Sequence, residues 1–112
     1  VQIADLLVTP EYIAALGLWR QGQFWEAHEA LEPLWLRLSG PDRELTHGII
    51  LLAAALHKAK TSPTGGWRNF HKALRHLEGI PETYQGIRVA ELIQEARKTL
   101  ETPSYRPGFP LL

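Results

Sequence analysis

Between Phe24 and Trp35 the chain places three carboxylates (Glu26, Glu29, Glu32), His28 and two tryptophans (Trp25, Trp35) on about three turns of helix, with no basic residue among them. Helical spacing sets His28 and Glu32 one turn apart between the two indoles, at the edge of an apolar stripe of Phe24, Ala27, Leu31, Leu34 and Leu38. Glu29 falls just beyond that edge and Glu26 on the far side. Ionisable groups beside indole rings are costly to desolvate unless they are hydrogen-bonded or ligated, so the cluster is either a paired structural element or a site. As a site, His28 and Glu32 with His57 or His47 would form a histidine and carboxylate set suited to a divalent metal such as zinc, manganese or iron. The same groups, with Glu29 and Glu26 beside them and Trp25 and Trp35 lining the site, suit a small polar ligand. As structure, Glu29 and Glu32 would accept hydrogen bonds from His28, an indole or an arginine of another helix, and so fix the helix register.

Other chemistries find less support. The zinc-protease pattern His-Glu-x-x-His fails because Glu32 stands at its last position. Glu-x-x-His occurs once, from Glu44 to His47, where a di-iron bundle needs it twice. There is no Gly-x-Ser-x-Gly elbow for a serine hydrolase. Gly65-Gly66 offers free amides at a helix start but lacks the spacing and Lys-Ser/Thr ending of a phosphate loop, and reads as a solvated hinge.

The elements that must hold these residues are helices. Thr9-Pro10-Glu11 supplies a cap, a proline at the first helical position and a first-turn acid, and Gly22 stops the segment, giving a helix over 10–21. A second helix runs over 23–38, with a kink expected at Pro33, which cannot donate to the Glu29 carbonyl. The third, 42–60, is apolar on every face from Gly48 to Leu56, as a central helix wrapped by neighbours would be. Thr61 to Gly66 reads as the clearest loop, although Ser62-Pro63 is also a helix opening. A fourth helix covers 67–78, with Phe70, Ala73, Leu74 and Leu77 inward and Arg68, Lys72, Arg75 and His76 outward. After a turn at Tyr84-Gln85-Gly86, a fifth runs from 88 to 101. No segment alternates with period two. Residues 102–112 form an extended, proline-rich tail whose Tyr105, Phe109, Leu111 and Leu112 are expected to dock. The four tryptophans Trp19, Trp25, Trp35 and Trp67 are read first as core. The fold class is all-α, a compact and mostly antiparallel bundle of four to five helices forming one domain over 1–112.

At 112 residues and 45% apolar content the chain can bury a core without disulfides or a structural metal. Twelve basic residues balance twelve acids, which gives no net field for nucleic acid or an anionic membrane. The charge is nevertheless sorted: residues 57–78 hold five bases (Lys58, Lys60, Arg68, Lys72, Arg75) against Glu78, while residues 23–35 hold three acids and no base. That opposition suits two helices or two subunits attracting one another better than a phosphate track. The absence of cysteine removes thiol chemistry and thiolate ligands. The longest apolar run is roughly half of what a membrane span needs, and no secretory leader is visible, so a cytoplasmic protein is expected. With no methionine, the sequence reads as a processed or trimmed chain.

The segment from Phe24 to Glu32, followed by Trp35, resembles the signature of the domain of unknown function 309 family, small helical proteins of bacteria and archaea. Gly48-Ile49-Ile50, the Ala-rich positions after it and His57 are similar to that family's Gly-Leu-Ile-Gln segment leading to one or two histidines. The resemblance spans residues 12–100. It implies a compact helical fold and brings forward Glu26, His28, Glu29, Glu32, Trp35 and His57. Leu51 stands where Gln is common, and Lys58 where a second histidine often follows. Members are sometimes labelled predicted metal-dependent hydrolases, a label that rests on the acid and histidine pattern. Two functional expectations follow: a protein whose His/Glu cluster holds a metal or a small polar ligand, or a non-catalytic homodimeric interaction module in which the cluster is structural.

Overall fold

Local signals mark the helix starts, at some of which a side chain accepts from one of the first free amides. In the computed structural model, which describes residues 5–112, a short 3-10 turn at Leu6–Val8 leads into α1 (Pro10–Arg20), whose Thr9 hydroxyl accepts from the Tyr12 amide at 3.3 Å. Residues 1–4, which the single-domain reading included, lie outside the described residues. Gly22, at a φ of 77°, makes the left-handed turn into α2 (Phe24–Arg37), which runs unbroken through Pro33. Helix α3 (Gly40–Lys58) opens two residues earlier than its sequence suggests, because Gly40 adopts a φ of 61° and Pro41 fits the first turn. The short links at residues 21–23, 38–39 and 59–62 turn consecutive helices back on one another.

Helix α4 (Pro63–Leu77) begins at Pro63, with the Ser62 hydroxyl accepting from the Gly65 amide at 3.1 Å. The loop and solvated hinge expected at Thr61 to Gly66 are thus corrected: Gly65 and Gly66 are buried in the first turns of α4. Their smallness serves packing. A Cβ at Gly66 would stand 2.7 Å from the Ala59 Cβ and 3.1 Å from the Ala55 carbonyl oxygen, and one at Gly48 would fall on the Leu77 side chain. Helix α4 therefore comes close to the end of α3 at Gly66, and at Gly48 the Leu77 side chain packs directly on the α3 backbone.

The remaining element is a hairpin of two-residue strands, β1 (Thr83–Tyr84) and β2 (Ile87–Arg88), leading directly into α5 (Val89–Glu101). Gln85 and Gly86 both have positive φ, 53° and 77°, as a two-residue hairpin loop of type I′ requires. Strands this short leave no alternation to read. The segment beyond α5 folds back: Leu111 bridges Ile87, Arg88 donates its amide to the Pro110 carbonyl at 3.0 Å, and buried Phe109 meets Trp19 edge-on at 5.4 Å. Leu45, Ile49, Leu52 and Leu56 of α3 lie at the centre of a core shared with Tyr12, Leu31, Leu34, Phe70 and Leu92. Among the described residues the protein is an all-α bundle of five helices with that one hairpin attached, and no helix is long and apolar enough to cross a membrane.

Candidate functional site

Helix α2 places Trp25, His28, Glu32 and Trp35 on one flank, at spacings of three, four and three residues. His28 Nε2 lies 3.0 Å from Glu32 Oε1, an i, i+4 pair, and its ring stacks on Trp25 at 4.6 Å between centroids. Trp25 in turn touches His57 of α3 at 5.2 Å. The two imidazoles therefore share an indole rather than a common centre. Among the described residues no three His, Asp or Glu side chains are grouped to hold a metal ion. The set drawn from His28, Glu32 and His57 or His47 is not assembled into one group among the described residues. His28 Nδ1 and Trp35 Nε1 are buried without a hydrogen-bond partner among the described residues. Glu29 and Glu26 are exposed and join no pair among the described residues.

The other end of the flank is built on Trp35. Its ring meets His47 of α3 at 4.6 Å, and the Arg43 guanidinium lies 5.0 Å over it. His47 also faces His76 of α4 at 3.9 Å, and His76 Nδ1 sits 2.8 Å from Glu44 Oε2. His76, expected on an outward face, is thus turned toward α3. Burial first, and then the neighbouring His76, hold the His47 imidazolium below the usual histidine range. The all-core reading of the tryptophans is corrected in part: Trp19 is buried, Trp35 and Trp67 are half-buried and Trp25 is 43% exposed. Trp19 alone sits on the helix-to-tail seam, where its Nε1 donates to the Gly108 carbonyl at 3.1 Å.

Sequence reasoning missed the buried polar centre. Asp42 in the first turn of α3 is only 2% exposed and accepts from the Tyr84 hydroxyl at 2.6 Å and from the Gln85 side-chain amide at 3.2 Å. One turn on, Thr46 shares a 2.7 Å hydrogen bond with Tyr12. Burial pushes the Tyr12 phenol far above its ordinary value, and the bond to Asp42 raises that of Tyr84. A carboxylate here is favoured by the helix N-terminus and anchors the hairpin to α3. Its sequence signal, an acid two residues after Gly40, is indistinguishable from an ordinary capping acid. Along the α2 to α4 face His28 and His76 pair with carboxylates.

A five-helix bundle with a histidine and tryptophan seam between α2 and α3 defines a class of small helical domains rather than a reaction. The chain belongs to the domain of unknown function (DUF309) family, whose model matches residues 12–70. An uncharacterized protein of Aquifex aeolicus (strain VF5) is 30% identical over 101 residues, which cover 88% of this chain and 29% of that protein. The chain thus spans under a third of that relative's length. A crystal structure of a conserved hypothetical protein from Thermus thermophilus is similar with a TM-score of 0.76 and 46% identity, covering 85% of this chain and all of that one.

Proposed function

We propose that the chain is a non-catalytic interaction module that pairs with a second copy of itself through the face made by α2, α3 and α4. One observation carries the proposal. Exposed Glu29 on α2 and Arg68, Lys72 and Arg75 on the outer side of α4 have no ion-pair partner among the described residues, although both helices pack on α3. Half-buried His47, Leu51 and Ala54, spaced i, i+4 and i+7 on α3, form the strip left between the two helices. In a two-fold pair, the acidic edge of each α2 meets the basic edge of the partner's α4 while these strips approach the axis. The His28 to Glu32 pair then has a structural task, holding the Trp25 ring where it is half presented to the partner. A domain of this family also forms part of a longer chain in the Aquifex relative, which suits a module working by contact.

Sedimentation velocity at increasing protein concentration tests the reading. A dimer that loosens as salt is added is expected, because the pairing charges are exposed and screened. A monomer at every concentration and at low ionic strength would refute it.

A further inference from the structure

Where the end of α1, the start of α2, the end of α3 and the segment after α5 meet, a cavity of about 270 Å³ opens to the surface. Its lining is mostly apolar, with Trp19, Phe24, Leu56 and Leu100 as the principal groups, and its size lies just under the ~300–1,000 Å³ of typical small-molecule sites. Three cations stand around it, Arg20, Lys60 and Arg106, and no acidic residue lines it. None of the three has a carboxylate partner among the described residues. Arg20 Nη2 donates to the Phe109 carbonyl at 3.3 Å. Lys60 Nζ reaches the Gly22 carbonyl at 3.4 Å and lies 5.5 Å over the Phe24 ring. Arg106 is exposed. In a chain with as many acids as bases, three uncompensated positive charges at the mouth of one apolar cavity form a local pattern that asks for an anion.

The wall completing the cavity is fixed in advance. Glu95 of α5 accepts from the Gly108 amide at 2.8 Å and from the Tyr105 hydroxyl at 2.8 Å, so the strap from Pro103 to Pro107 is tied down across the opening. An occupant would not have to order it.

We infer that this cavity binds a small monocarboxylate with a hydrocarbon body, the chain or ring lying against Trp19 and Leu56 and the carboxylate at Lys60 and Arg106. Charge-assisted hydrogen bonds from these cations would hold the head group, and the apolar lining would exclude sugar phosphates and nucleotides, whose polar bodies would be desolvated without partners. The site is separate from the α2 to α4 face and stands or falls independently of self-association.

Titration calorimetry of the full chain with octanoate, octanol and octylammonium tests it. Octanoate should bind saturably, one per chain, at least ~10-fold tighter than octanol, with octylammonium weakest. Lys60→Gln with Arg106→Gln, both at exposed positions that leave the core untouched, should bring octanoate down to the level of octanol and leave octanol unchanged. Absence of saturable octanoate binding, equal affinity for octanoate and octanol, or octanoate binding that survives the double substitution would overturn the inference.

Discussion

Replacing Gly48 by Ala puts the α3 to α4 contact to a direct test, because two effects of opposite sign act on it. Alanine in a helix interior is favoured over glycine by about 1 kcal/mol. At Gly17 in α1 nothing lies within 4 Å of an added Cβ, so Gly17→Ala should realise that gain and stabilise the protein by about 0.5–1 kcal/mol. At Gly48 the new methyl group overlaps Leu77, including its branching Cγ, and Leu77 is itself fully packed. Relief needs either a new rotamer in a filled core or a shift of α4, and overpacking of this kind costs about 1–3 kcal/mol. The net expectation is a loss of up to about 2 kcal/mol, read as a lower midpoint in urea followed by tryptophan fluorescence. Leu77→Ala alone should cost about 2–5 kcal/mol by leaving a cavity. The double variant should be less damaged than the sum, with a coupling of about 1 kcal/mol or more, since the new Cβ then has room. Gly48→Ala as stable as Gly17→Ala, or strict additivity with Leu77→Ala, would refute the close approach.

His47 has a folded pKa below its unfolded value of about 6.5, so its contribution is present above that pH and is lost as pH falls through it toward the folded value; melts from about pH 7.5 to 5 should show that fall in the parent and a flatter profile in His47→Gln, and parallel profiles would contradict it. For Glu95, burial raises the carboxyl pKa but is outweighed by hydrogen bonds from Gly108 and Tyr105, leaving it lowered; its contribution is therefore present above the ordinary carboxylate range and lost as pH falls below it. Glu95→Gln should cost about 1–2 kcal/mol and speed hydrogen exchange at the Gly108 amide, and unchanged exchange there would show the strap is held otherwise. Trp19→Ala should cost about 3–5 kcal/mol and half-buried Trp35→Ala clearly less, so equal losses in denaturant melts would overturn the assigned burial.

Helices whose ends carry chemical punctuation were legible: Thr9-Pro10 opens α1, Gly22 closes it, and Thr102-Pro103 follows α5. The error at Gly65-Gly66 has a definite cause. Glycine pairs mark turns in isolation, but here Gly66 admits the end of α3 and Gly65 leaves room for the Lys58 side chain, and only the neighbouring helix reveals which use applies. The hairpin escaped because two-residue strands have no periodicity, and Gln85 is an uncommon residue for a position needing positive φ. At the candidate site, helical spacing correctly paired His28 with Glu32 and brought Trp25 beside them. Which histidine of α3 each tryptophan meets depends on how far α2 slides along α3, so His57 against Trp25 and His47 against Trp35 could not be ordered from spacing alone. Asp42 was invisible as a buried group because its partners, Tyr84 and Gln85, lie some forty residues away in sequence.

Self-association through complementary edges is tested most directly by charge reversal and mixing. One variant carries Lys72→Glu and Arg75→Glu on α4, the other Glu29→Lys on α2, all at exposed positions. In sedimentation equilibrium at low salt each variant alone should be monomeric, because every cross-chain edge then sets like charges together. Mixed in equal amounts they should form a dimer, since the acidic α2 of the first meets the basic α4 of the second and the reversed edges meet as well. Two variants that dimerise as the parent does, or a mixture that stays monomeric while the parent dimerises, would contradict the account.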